Sequence, residues 1–124
     1  MPRLEPIAAV RVVASPSALD GVDWPPTVDL IRIAEDEVLV LGGSPPELSD
    51  PHAIVLEDTG WWGAALTVED LESWLEYEAE WPVDLRSGTF QGSVAGVPVK
   101  ILVGEEQALV ITRASLAPDL EERL

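Results

Sequence analysis

The stretch AIVLEDTGWWGAALTVEDLESWLEYEAEWP, residues 53–82, decides the fold because it holds four of the five tryptophans and the clearest helical pattern. Thr67 and Asp70 have the spacing of a capping box, in which a hydroxyl accepts an N–H of the first turn. Pro82 excludes a helical conformation from the residue before it. The sequence therefore predicts a helix over residues 68–80. Four apolar residues at helical spacing form its core stripe: Val68, Leu71, Leu75 and Ala79.

The predicted helix has two further faces. One face is wholly acidic and comprises Glu69, Glu72, Glu76 and Glu80. The other carries three aromatic rings beside the apolar stripe: Trp74, Tyr77 and Trp81. Such rings either wrap the edge of a core or anchor a protein–protein interface. These three residues are therefore the candidate interface residues, and packing at the core edge stays open as the other interpretation.

Composition limits the class of protein. With 124 residues the chain is long enough for one domain with its own core. It has no cysteine, which excludes disulfides, thiolate metal sites and a cysteine nucleophile. No apolar run approaches the roughly 20 residues of a membrane span, and Arg11 interrupts the apolar N-terminal stretch, unlike a signal peptide. We expect a soluble cytoplasmic protein that does not bind membranes.

The charge is strongly negative. Twenty-three acids against seven bases give a formal net charge of −16. This surplus argues against nucleic acid or an anionic membrane as partner, and it favours a basic one. It also makes the folded chain repel itself, so salt should stabilise it. Simple solubility and adaptation to a saline cytoplasm are the two interpretations of the acidity.

The remaining sequence is predicted to form strands, loops and a final helix. Residues 15–27 are rich in proline and glycine and are predicted to be a loop, with Trp24 as a plug at the core edge. Ser115 is predicted to cap a C-terminal helix in which Leu116, Leu120 and Leu124 share a face. Strands are predicted at residues 7–13, 28–33, 38–41, 53–56, 61–66, 90–95, 99–103 and 108–112.

This order of elements predicts the α+β class. The sheet should be mainly antiparallel with hairpins, next to one central amphipathic helix and a C-terminal helix. We expect residues 1–124 to form a single domain. Within it, residues 1–42 are an N-terminal β unit, 43–52 a loop, and 53–124 a β-α-β-β-β-α unit.

We find no catalytic or metal-binding motif in the sequence, so whether the chain is an enzyme stays open. His52 is the only histidine, and a two-histidine zinc site cannot form within one chain. A histidine beside Asp50 and Pro51 is ordinarily a turn residue. Carboxylates are so abundant that their presence indicates neither acid–base catalysis nor a calcium site. Three glycines recur every fourth residue but lack the Lys-Ser/Thr of a P-loop, which favours a packing role: Gly88, Gly92 and Gly96.

Several segments resemble one known family. DLIRIAEDEVLVL (29–41) is similar to a strand–acidic turn–strand segment, and VLEDTGWWGAALTVEDLESWL (55–75) to a strand, turn, strand and helix. A hairpin of the same family is similar to residues 83–85 together with Phe90, Gly92 and residues 95–99. Its last strand and helix are similar to residues 108–124. The family in which this order occurs is the gamma subunit of heterotetrameric sarcosine oxidase, within the superfamily of the glycine-cleavage aminomethyltransferase.

The resemblance implies a small folate-enzyme-like fold that serves as a subunit of an oxidoreductase or aminomethyltransferase. In that family the gamma chain is not credited with the flavin or folate chemistry, so the resemblance transfers no catalytic residue and no cofactor. The partner would be another protein or a second copy of the chain. The alternative is a stand-alone binder of a small molecule, with folate as the candidate ligand, in a cleft lined by Trp61 and Trp62. An enzyme of unassigned type is the third hypothesis.

Overall fold

A computed structural model describes residues 3–78 and 88–124. In these ranges the chain forms two mainly antiparallel sheets and short helices, which confirms the predicted α+β class. In chain order the elements are β1 (Glu5–Ile7), β2 (Ala9–Val13), α1 (Pro16–Asp20), β3 (Asp29–Ala34), β4 (Glu37–Leu41), β5 (Ile54–Glu57), β6 (Trp61–Thr67), α2 (Val68–Glu78), β7 (Gly88–Val94), β8 (Val97–Val103), β9 (Gln107–Arg113), a 3₁₀ turn (Ala114–Leu116) and α3 (Ala117–Glu121).

The chain divides into two compact units. Unit 1 comprises Met1–Pro6 and Gly60–Leu124, and unit 2 comprises Ile7–Thr59. The predicted loop at 43–52 lies inside unit 2, where it contains no helix or strand. Each unit has its own sheet and its own cluster of buried apolar side chains.

Unit 1 is built on a five-stranded sheet with strand order β1-β6-β9-β8-β7. The pairs β6–β9, β9–β8 and β8–β7 are antiparallel. The β7–β8 hairpin turns at Ala95 and Gly96, and both have positive φ (52° and 79°). Two such residues make the type I′ turn that matches the twist of paired strands. Pro98 lies at the second position of β8, where a strand tolerates proline.

The central helix α2 covers one face of this sheet. The Oγ1 atom of Thr67 accepts the N–H of Asp70 at 3.0 Å, which confirms the predicted cap. Leu71 and Leu75 are buried in the core cluster, and Val68 is half-buried beside it. The predicted stripe is therefore confirmed for its two central leucines. Its last member, Ala79, and the predicted stop at Pro82 lie outside the described residues.

The C-terminal segment corrects one prediction. Ser115 does not cap a helix, because it lies within the 3₁₀ turn, and α3 begins two residues later, at Ala117. Pro118 lies in the first turn of α3, where its missing N–H costs nothing. Leu120 and Leu124 are buried in the unit 1 core and Leu116 packs against it, so the three leucines meet one core, although only Leu120 lies within α3.

Unit 2 is built on a four-stranded sheet with strand order β3-β4-β2-β5. The strands predicted at 28–33 and 38–41 form a hairpin with an acidic tip, since β3 and β4 pair across Glu35 and Asp36. The side chain of Arg32 closes this tip by donating to the carbonyls of Ala34 (2.9 Å) and Glu35. Trp24 packs against the buried cluster of this unit, as the plug prediction required.

Two predictions fail in the first 27 residues. The segment 15–27, predicted as a loop, contains α1, whose cap is Ser15: its Oγ atom accepts the N–H of Ala18 at 3.3 Å. The Ser-Pro pair starts a helix here because proline fits its first position, and Leu19 is buried below it. The strand predicted at 7–13 is two strands, β1 and β2, which belong to different sheets.

The helices are short. The longest in the described ranges is α2, with 11 residues. Among the residues that the structure describes, none forms a helix with the length and apolar character that crossing a membrane requires.

Candidate functional site

The structure describes two of the three aromatic residues predicted for an interface on α2, and their surroundings differ. Trp74 is half-buried against the unit 1 core, and its Nε1 donates to the carbonyl of Arg123 at 2.7 Å. Carbonyls after a helix lack intrahelical partners, so this bond fastens the C-terminal segment to α2. Tyr77 is 87% exposed, while Trp81 lies outside the described residues. Of the two that can be placed, Tyr77 is the side chain open to a partner.

In the part of the chain that the structure describes, Trp61 and Trp62 border two different hollows. They are successive residues of β6, so their side chains point to opposite faces of the sheet. Trp62 borders an open hollow of about 540 Å³, formed with Ala114, Ala117, Pro118, Glu121 and Glu122. Trp61 is only 4% exposed and borders a smaller hollow of about 290 Å³, formed with Pro98, Val99, Lys100, Arg113 and Leu116.

Trp61 lies beside two cations. The guanidinium carbon of Arg113, which faces Trp61 across the β6–β9 pair, is 3.9 Å from the centre of the indole ring. The Nζ atom of Lys100 is 5.8 Å from it and also donates to Gln91 Oε1 at 2.6 Å. Both distances are within the range of cation–π attraction. Among the described residues, the buried Nε1 of Trp61 has no hydrogen-bond partner. Lys100 and Arg113 line this hollow, and their positive charge suits a small anion.

A surface that the sequence did not indicate lies on β5. This strand is at the edge of the unit 2 sheet. Its three successive apolar residues Ile54, Val55 and Leu56 are 51%, 48% and 57% exposed. The apolar run predicts a strand, but its position at an edge depends on the pairing of distant segments, which local spacing does not show.

A groove of about 480 Å³ lies beside β5. Its lining residues are Val10, Ser44, Pro45, Pro46, Glu47, Leu48, Asp50, Ala53, Val55 and Glu57. Three of them are acids and none is a base. The groove is therefore suited to a cationic side chain that brings its own apolar stem.

Asp50 holds one wall of this groove in place. Its Oδ2 atom accepts the N–H of Ser15 at 2.9 Å, and its Oδ1 atom accepts that of His52 at 2.8 Å. These bonds hold the pKa of the Asp50 carboxyl below its usual range. The bond from Ser15 has the larger effect on this pKa, and the bond from His52 has the smaller one. Asp50 is therefore ionised at neutral pH. His52 lies in a turn, as predicted.

Arg11 fastens β5 to the rest of its sheet. Its Nε and Nη2 atoms donate to Oδ2 of Asp58 at 3.1 and 2.9 Å, and its Nη1 atom donates to Oε1 of Glu37 at 2.9 Å. The hydrogen bond to Asp58 is the largest cause that raises the pKa of Arg11. Asp58 directly follows β5 and Glu37 begins β4, so one cation joins three neighbouring strands.

No metal centre is formed by residues 3–78 and 88–124, where three or more histidine, aspartate or glutamate side chains never gather closely enough to hold an ion.

In comparisons with known proteins, no protein-family model and no curated sequence matches the chain. The resemblance to the sarcosine oxidase gamma subunit thus stays a prediction based on the quoted segments. The fold and its surfaces define an α+β protein with an open, apolar sheet edge.

Proposed function

We propose that the chain is a non-catalytic interaction protein that acts in the cytoplasm as a subunit of a larger assembly. The observation that carries this proposal is the exposure of Ile54, Val55 and Leu56 on the edge strand β5. Successive residues of a strand point to opposite faces, so apolar surface is open on both sides of β5. Exposed apolar patches mark interaction sites, and an open strand edge is a template for pairing with another chain.

Three further observations support a subunit role. Tyr77 is exposed on α2, and an exposed tyrosine suits the rim of a protein contact. The resemblance to the gamma subunit of sarcosine oxidase implies the same role, a subunit without an active site of its own. The whole chain is strongly acidic, which favours a basic partner surface.

The test uses the purified full-length chain as bait in an extract of its own host. We expect wild type to recover a protein in fixed ratio, and Leu56→Ser to lose it. Because Leu56 is exposed, the substitution should change stability by only about 0.5 kcal/mol. Tyr77→Ser tests the exposed ring on α2, and Ala65→Ser, at an exposed apolar residue of β6, is the control.

Each other outcome has a meaning. If Tyr77→Ser loses the recovered protein and Leu56→Ser does not, the contact lies on α2 and not on β5. A chain that recovers no protein, and that elutes from a sizing column as a monomer, would contradict the proposed function.

A second candidate function is the binding of a small carboxylate ligand beside Trp61. It is favoured by the two cations, Lys100 and Arg113, that line the hollow beside Trp61. A folate, whose glutamate end carries carboxylates, is the ligand that the resemblance names. Titrating wild type with a folate should quench tryptophan fluorescence, and Lys100→Gln should weaken the effect. Fluorescence that does not change over the titration would remove this candidate.

A further inference from the structure

We propose that the outer edge of β5 binds an extended, basic segment of a different protein, which pairs with it as a fifth strand of the unit 2 sheet. This inference rests on the proposed function and adds the mode of binding and the chemistry of the partner. Three features of the described residues carry it: the hydrogen-bonding phase of β5, the division of its side chains between two faces, and the charge of unit 2.

The hydrogen-bonding phase shows which backbone groups of β5 are open. The N–H of Asp58 donates to the carbonyl of Ala9 on β2 at 2.9 Å. The register continues with Leu56 opposite Arg11 and Ile54 opposite Val13. Hydrogen-bonded pairs alternate along an antiparallel ladder, so Ile54 and Leu56 bond to β2. The N–H and C=O groups of Val55 and Glu57 therefore point outward, where an added strand can pair with them.

The same geometry indicates what side chains the added strand carries. Val55 and Glu57 share the face of the acidic groove, next to Glu47 and Asp50. Side chains of the added strand on this face lie beside carboxylates, so lysine or arginine fits there. On the opposite face they lie beside Ile54 and Leu56, so apolar side chains fit. The expected partner segment thus alternates basic and apolar residues.

Charge favours a different protein over a second copy of the chain. Residues 7–59 contain ten acids and two arginines. Both arginines already have carboxylate partners, Arg11 in Asp58 and Glu37, and Arg32 in Asp20. Two copies that met edge to edge would bring two such acidic units together, within chains of net charge −16 each. Like charges across an interface oppose association, whereas a basic segment gains from the same field.

The experiment titrates the full-length chain with two synthetic peptides of equal length. One alternates valine with lysine, and the other alternates valine with glutamate. We expect the lysine peptide to bind, more weakly as salt is added, and the glutamate peptide not to bind. Equal or tighter binding of the glutamate peptide would overturn the inference that the partner is basic.

Variants of Val55 test strand pairing itself. Val55→Pro removes an outward N–H but none of the bonds to β2, and an edge strand tolerates proline at such a position. It should weaken binding of the lysine peptide about tenfold, since the pairing loses a hydrogen bond and meets a proline ring. Val55→Thr keeps the N–H and the branched shape, so it should bind nearly as wild type does.

A peptide-side measurement covers the case in which Val55→Pro fails to fold. Two versions of the lysine peptide carry N-methyl groups on alternate residues, so that one lacks the N–H groups that face β5 and the other lacks those that point away. The version without the N–H groups that face β5 should bind wild type about tenfold more weakly than the unmodified peptide. If both N-methylated peptides bind wild type as tightly as the unmodified peptide, or if folded Val55→Pro binds the lysine peptide as tightly as wild type does, strand pairing is overturned. If Leu56→Ser still releases the partner recovered from the host extract, the proposed function stands and only the strand-pairing inference falls.

Discussion

Replacing Leu71 with alanine is expected to lower the free energy of unfolding by about 2–5 kcal/mol. The Leu71 side chain is 0% exposed and belongs to the core cluster between α2 and the unit 1 sheet. Alanine would leave a cavity there, because the neighbouring strands are fixed by their hydrogen bonds and collapse only in part. Urea unfolding followed by circular dichroism measures the loss as a lower midpoint with little change in slope.

The same helix supplies the control for this prediction. Tyr77→Ala removes a larger side chain from α2, but one that is 87% exposed, so it should change the free energy of unfolding by about 0.5 kcal/mol or less. Equal losses for Leu71→Ala and Tyr77→Ala would show that α2 does not present the leucine stripe to the core.

Replacing Arg11 with methionine is expected to have the second largest effect, a loss of about 1–3 kcal/mol. Methionine keeps the apolar stem but leaves the carboxylates of Asp58 and Glu37 without their shared cation. Removing one partner of a fully buried ion pair costs about 3–5 kcal/mol. The Arg11 side chain is 31% exposed, so solvent screens part of this cost. Unfolding of unit 2 can be followed through Trp24, in a variant whose other tryptophans are phenylalanine.

The pH dependence of this loss follows from the sign of the shift. The folded-state pKa of Arg11 is raised, chiefly by its hydrogen bond to Asp58. Its contribution is therefore fully present below the unfolded pKa and is lost only as the pH rises through the folded value. The difference between wild type and Arg11→Met should thus be constant from neutral to mildly alkaline pH. A difference that disappears in this range would contradict the assignment.

Arg3 provides the matched substitution for Arg11. The Arg3 side chain is 86% exposed, and its Nε atom is 3.9 Å from Oε1 of Glu121. Exposed pairs of this kind contribute little, so Arg3→Met should leave the midpoint of unfolding almost unchanged. If both substitutions had the same effect, the cluster around Arg11 would contribute no more than an exposed surface pair.

Local spacing was sufficient to predict most elements of the fold. From β3 onward, every predicted strand matches an observed strand with ends that differ by two residues or fewer. Helix α2 and its cap at Thr67 follow from a pattern of neighbouring residues. Helix α1 was missed because serine and proline indicate either a turn or a helix start, and buried Leu19 decides between them only in three dimensions.

The arrangement of the strands could not be predicted in the same way. β1 and β2 are separated by a single residue and still belong to different sheets. β5 and β6, which also follow one another in the chain, belong to different sheets as well. Pairing partners lie far apart in sequence, as when Trp61 meets Arg113, and no local pattern identifies them. The hollow beside Trp61 and the open edge of β5 both depend on this pairing. The separation of Trp61 and Trp62 onto opposite faces follows from the strand predicted at 61–66, whereas the hollow beside each of them is apparent only from the structure.

Amide hydrogen exchange along β5 tests the central claim most directly. In the chain alone, the amides of Ile54 and Leu56 should exchange slowly because they bond to β2, while those of Val55 and Glu57 should exchange fast. When the lysine peptide or the natural partner is bound, the amides of Val55 and Glu57 should become slow as well. A bound partner that leaves these two amides exchanging at their free rate would contradict strand addition at this edge.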